Sequence, residues 1–132
     1  MSAHFTDISV SARFSELPGL LATIAQRAAE LGIPADVALR LQLVVEELFT
    51  NTVSHGYQGG SEDRVRLALG RHDDVVTLRY EDEAPAFELM EIAEKTASTV
   101  ALGGLGITLI RGLCKSVRHQ RRDGRNVTEI EL

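Results

Sequence analysis

The stretch from Phe5 to Val10 alternates apolar and polar positions (Phe5, Ile8, Val10), which predicts a first strand. Ser15-Glu16-Leu17-Pro18 then supplies a helix start, with a serine cap candidate and a proline in the first turn. Leu20, Leu21, Ile24, Ala28 and Leu31 recur at helical spacing and stop at Gly32. Pro34 opens a second helix through Leu39, Leu41, Leu43, Val44, Val45, Leu48 and Phe49 to about His55, where Gly56 and Gly59-Gly60 end it. Val65, Leu67 and Leu69 alternate, as do Val76, Leu78 and Tyr80, and Arg71-His72-Asp73-Asp74 between them reads as a hairpin turn. From Asp82 to about Ala101 the pattern weakens, although Leu89 to Ala97 has the spacing of a short helix. Gly103-Gly104-Leu105-Gly106 leads into a third helix through Leu113, and Val117–Arg122 and Val127–Leu132 read as closing strands around Asp123-Gly124. The order β-α-α-β-β-(loop)-α-β-β puts several hairpins on one sheet. It predicts an α+β two-layer sandwich, with a mixed, mostly antiparallel sheet covered on one face by helices, rather than a parallel doubly wound sheet.

Composition sharpens this picture in a few places. At 132 residues and 14.4 kDa the chain has room for one domain, expected over residues 1–132, with a core that needs no staples. Nineteen acids against fourteen bases give a net charge of −5, which argues against broad binding to nucleic acid or an anionic membrane. The single cysteine, Cys114, lies in an apolar helical run and reads as a small core residue. Met1-Ser2-Ala3-His4 lacks the pattern of a signal peptide, and no apolar run approaches the roughly 20 residues that span a bilayer. A cytoplasmic protein is expected, and the sequon Asn126-Val127-Thr128 reads as coincidence.

Three clusters carry candidate chemistry. At about 100° per residue, Glu47, Asn51 and His55 fall on one stripe of an otherwise apolar helix. A carboxylate and an amide one turn apart in such a helix are costly unless something polar meets them, and they suit an oxygen-loving ion such as Mg²⁺. The same stripe reads equally as a solvent face, since Arg40 lies on that side, and no His-Glu-x-x-His metalloprotease motif is present. Tyr80-Glu81-Asp82-Glu83-Ala84-Pro85-Ala86-Phe87 leaves a strand and turns sharply. An aspartate there can accept from the exocyclic amine of adenine, or the segment is a solvated acidic turn. Gly103-Gly104-Leu105-Gly106 opening a helix fits an anion site or a plain glycine turn, and matches neither a P-loop nor a full dinucleotide fingerprint. Arg118, Arg121 and Arg122 read as a solvated basic edge.

Together the three clusters resemble the signature of the GHKL (Bergerat-fold) ATPases. Glu47 through Asn51 and His55-Gly56-Tyr57 resembles the N box, Asp82 through Phe87 the G1 box, and Gly103 through Ile107 the G2 box. The likeness covers nearly the whole chain and is greatest to the anti-sigma-factor serine/threonine kinases. It implies a Bergerat ATP-binding fold in which Glu47 is the general base and Asn51 binds Mg²⁺. Asp82 would receive the adenine amine, and Gly104, Leu105 and Gly106 would hold phosphates with Thr108 as a hydroxyl contact. His55 and Ala84 complete the implied nucleotide site, and residues Glu88 to Leu102 the lid. Two departures stand out. Ala84 replaces the usual G1 glycine and could crowd the base unless its φ is negative, and Lys95 is the lid's one cation.

The resemblance implies a kinase that uses Mg·ATP to phosphorylate a small anti-sigma-factor antagonist and that binds a sigma factor, as a homodimer. It implies no direct contact with nucleic acid or membrane. A non-catalytic Bergerat-fold interaction module is the alternative, favoured by Ala84, and a simple ATP hydrolase is a third reading.

Overall fold

The computed structural model describes residues 4–85 and 110–132. Five strands form one sheet: β1 (His4–Ser11), β2 (Arg64–His72), β3 (Val75–Asp82), β4 (Ser116–Arg122) and β5 (Arg125–Glu131). Their spatial order is β1-β2-β3-β5-β4, and every pairing is antiparallel, so no parallel pair of the expected mixed sheet is found among the described residues. Two helices, α1 (Leu17–Glu30) and α2 (Ala35–Asn51), cover one face. Ile110 to Leu113 are helical and are the described end of the expected third helix. The expected helix over Leu89–Ala97 lies outside the described residues.

Each element follows from its local sequence. Helix α1 ends in a Schellman motif: the amide of Ile33 donates to Ala28 O (2.9 Å) and that of Gly32 to Ala29 O (3.0 Å). Gly32 has φ +71°, which glycine adopts freely, and a Cβ there would meet Arg71 Nη1 at 2.8 Å. At the other end of α1 the predicted serine cap is absent. Ser15 sits in a 3₁₀ turn (Phe14–Glu16), and no side chain caps the helix, although Pro18 stands in its first turn as expected. The β4–β5 turn Asp123-Gly124 has both residues at positive φ (52° and 77°), the geometry that matches strand twist in a two-residue hairpin.

Strand alternation sorts the sheet into two faces. Ile8, Val65, Leu67, Leu69, Leu78, Tyr80 and Ile130 point to the helices and pack with Leu20, Ile24, Leu41, Val45, Leu48 and Phe49. The other face is open. Phe5 on it is 65% exposed and lies over Gly70, where a Cβ would come within 2.3 Å of its ring. The apolar pattern of α2 predicts a largely buried helix, yet Leu39 and Leu43 are exposed. No helix among the described residues is long and apolar enough to cross a membrane.

Candidate functional site

Helix α2 delivers the first cluster. Glu47 and Asn51 are one turn apart on it, Glu47 half-buried and Asn51 only 2% exposed. Burial, and secondarily the charge of Glu46, raise the Glu47 carboxyl above its ordinary value, which makes it a better proton acceptor. The Asn51 Nδ2 atom is buried with no hydrogen-bond partner among the described residues. Its amide oxygen and nitrogen can exchange places by a flip, so either a donor or an acceptor can be offered there.

Beyond Asn51 the helix widens into a π turn (Thr52–Gly56), where the amide of Tyr57 donates to Thr52 O at 3.0 Å. Such turns interrupt the regular 100° steps and recur at functional sites. Here the widening changes the predicted stripe. Asn51 is buried while His55, one nominal turn on, is exposed. Tyr57, just beyond the π turn, is half-buried. Burial, followed by the charges of Asp63 and Asp82, pushes its phenol upward.

Strand β3 delivers the second cluster. Alternation turns Asp82 inward and Glu81 to the other face, where it is partly covered, and Glu83 beyond the strand end is exposed. Glu81 pairs with Arg79 (2.7 Å) and Arg125 (3.5 Å), and Glu83 with Arg66 (3.1 Å), so this acidic run is a neutralised surface apart from Asp82. Asp82 itself is 2% exposed and enclosed by donors. Thr52 Oγ1 donates to Oδ2 at 2.8 Å, while the Ala84 amide (3.1 Å) and Asn126 Nδ2 (2.8 Å) donate to Oδ1. Because Thr52 has one proton and faces two acceptors, Asp82 Oδ2 and Leu48 O (3.1 Å), Tyr80 must be the donor in the 2.7 Å contact between the two hydroxyls. Burial, reinforced by the Asp82 charge, raises the Tyr80 phenol well above its ordinary value and keeps it in that donor form.

Ala84 is fully buried and is not among the residues at positive φ. Its carbonyl accepts from Arg121 Nη1 (3.0 Å) and Asn126 Nδ2 (3.2 Å), so the turn after Asp82 is pinned from β4 and β5. Arg121 is exposed, as expected of the basic edge, and its guanidinium also reaches across to this turn. Arg118 does pair at the surface, with Glu129 at 3.7 Å. Gly104, Leu105, Gly106 and Thr108 lie outside the described residues, as do Lys95 and the expected lid.

Thr52, Tyr80, Arg121 and Asn126 were not singled out as site residues from sequence. The two-residue Asp123-Gly124 turn carries one signal for them, since it sets Arg121 opposite Asn126. Two depressions of about 300 and 450 Å³ lie on the open sheet face beside Arg79, and none of Glu47, Asn51 or Asp82 lines them.

A model of the histidine kinase-like ATPase domain matches residues 10–132. The chain belongs to this family. Among its relatives, an anti-sigma F factor of Bacillus licheniformis is 25% identical over 121 residues, covering 89% of this chain and 80% of that protein. The serine-protein kinase RsbW of Bacillus subtilis is 25% identical over 131 residues, covering 93% and 82%. In structure, the chain is similar to the RsbU and RsbW domains of Rv1364c from Mycobacterium tuberculosis, with a TM-score of 0.70 and 16% identity. That match covers 97% of this chain but 32% of the other, and it carries the fold alone. The histidine kinase-like ATPase family therefore accounts for the α+β fold.

Proposed function

We propose that this histidine kinase-like ATPase domain is an anti-sigma-type protein kinase. It transfers the γ-phosphoryl group of Mg·ATP to a serine or threonine of a small antagonist protein, and it binds a sigma factor as a homodimer in the cytoplasm. The observation that carries the reading is the pairing, on one helix, of a half-buried Glu47 with raised proton affinity and a buried Asn51 whose Nδ2 has no partner among the described residues.

In this reading Asp82 accepts from the adenine amine and sets the base at the β3 end of the site. Asn51 supplies an amide oxygen to Mg²⁺. No group of three His, Cys, Asp or Glu side chains among the described residues suits a metal, so the ion would take its other ligands from phosphates and water. When bound, Mg²⁺ neutralises phosphate charge. Glu47 then orients the acceptor hydroxyl and takes its proton, and the remaining work of phosphoryl transfer is positioning. Gly104, Leu105, Gly106 and Thr108 hold the phosphates, and His55 borders the site.

The test is incubation with γ-labelled ATP, Mg²⁺ and an antagonist protein. Label on an antagonist serine or threonine that vanishes in Glu47→Ala, while nucleotide binding persists, is the expected result. The non-catalytic alternative is favoured by the buried methyl of Ala84 in the G1 turn. It predicts partner binding with no label transferred by the wild type, and failure to bind Mg·ATP at high concentration would end the kinase reading.

A further inference from the structure

The contacts of Asp82 form a closed circuit whose outer members have no role in the reading above. Asn126, on β5, is buried at 2% exposure and sits opposite Asp82 in the sheet register. Its amide orientation is fixed by chemistry. Arg121 Nη1 can only donate, so the atom 3.1 Å from it is Oδ1, and ionised Asp82 can only accept, so the atom 2.8 Å from it is Nδ2. Arg121 in turn is held by Ala84 O (3.0 Å) and Gly124 O (3.4 Å), both acceptors. Every bond in the chain Arg121–Asn126–Asp82 thus runs donor to acceptor in one direction.

The count of acceptor lobes gives this circuit a consequence. A carboxylate offers about four. Asn126 and the Ala84 amide occupy both on Oδ1, and Thr52 occupies one on Oδ2, which leaves about one. A single acceptor lobe meets a single N–H, as on a 6-aminopurine, and repels the keto oxygen of a 6-oxopurine.

Building on the adenine reading of Asp82, we propose that Asn126, braced by Arg121, is a positioning residue for base selectivity. It saturates Oδ1 and so fixes the carboxylate with its one open lobe on Oδ2. Without Asn126 the carboxylate can rotate about its terminal torsion, which is broad and roughly two-fold, and the lobe loses its direction.

The experiment measures binding of Mg·ATP and of Mg·purine riboside triphosphate, which lacks the 6-amino group, to the full chain by calorimetry. Wild type should prefer ATP by about tenfold or more, the range of a hydrogen bond to a charged acceptor. In Asn126→Ala the preference should collapse to within about twofold, by loss of ATP affinity alone. A parallel loss for both nucleotides, with the ratio kept, would mean a merely structural role and overturns the proposal. Should Asn126→Ala fail to fold, Arg121→Met removes the brace on Asn126, together with the contacts to Ala84 O and Gly124 O, from an exposed side chain. The preference should then fall by about threefold, and an unchanged ratio in that folded variant is equally decisive against it. Absence of any preference in wild type would instead remove the adenine role of Asp82 on which the proposal rests.

Discussion

Asp82 and Asn51 are equally buried, each at 2% exposure, yet the protein treats them in opposite ways. Both oxygens of Asp82 are met by donors from three separate segments, Thr52, Ala84 and Asn126. Asn51 keeps a buried Nδ2 with no partner among the described residues, one helical turn from Glu47, whose ionised form is disfavoured by burial. A satisfied network rigidifies a site, whereas an unsatisfied buried group costs about 1–3 kcal/mol. On the proposed reading, the corner that receives the base is built in advance, and the end that holds Glu47 and Asn51 is left for a ligand to complete. Local conflicts of this kind concentrate where a ligand is to supply the missing partner.

Substitutions separate the two regions. The largest effect belongs to Glu47→Gln, which should slow phosphoryl transfer by about 10²–10⁴-fold while Mg·ATP affinity stays within about twofold. A comparable loss of affinity would move Glu47 from the reacting end to the binding end. Asp82→Asn should destabilise the fold by about 3 kcal/mol in urea titrations, because an amide nitrogen would then face bound donors. Asn51→Leu should have the opposite sign. Without nucleotide it should stabilise by about 1 kcal/mol, since a buried orphan is replaced by an apolar side chain, and it should lose the Mg²⁺-dependent part of ATP affinity. If both variants lowered the unfolding midpoint, the two regions would not differ as described.

Tyr80→Phe should cost about 1 kcal/mol by removing one buried donor to Thr52, a loss visible as a lower thermal midpoint. The smallest effect is in pH dependence. The folded Glu47 carboxyl binds its proton more tightly than the unfolded one, so the folded state holds more protons from the ordinary value of 4.5 upward. Stability from this group is therefore present below that value and is lost as pH rises through the raised one. Glu47→Gln should remove that slope from a urea series against pH, and a slope that persists unchanged would assign it elsewhere.

Local patterning made much of the fold legible. Strand alternation set Val65, Leu67, Leu78 and Tyr80 inward, Gly32 stopped α1, and Asp123-Gly124 made the hairpin. The departures came where geometry is not local. The π turn Thr52–Gly56 has no sequence period of its own, and it swung His55 out while Thr52 met Asp82. Arg121 is the surface cation its pattern suggests, but its contact with Ala84, 37 residues away, has no local signal. Asn126 sat in a sequon and gained its part only through the β3–β5 pairing. The regular sheet was readable from neighbours. The circuit around Asp82 needed the sheet to be assembled first.

That last dependence has a consequence for biogenesis. Asp82 and Asn126 are separated by 44 residues, and β3 has its neighbour on that side only when β5 arrives. At about 5–20 residues per second, translation delivers Asn126 roughly 2–9 s after Asp82. In that interval the nascent chain can pair β1, β2 and β3, whose contacts are sequential hairpins or already made, while its aspartate stays without the amide that will hold it. If Asp82 receives the base as proposed, competence to read it is a late event in the life of the polypeptide.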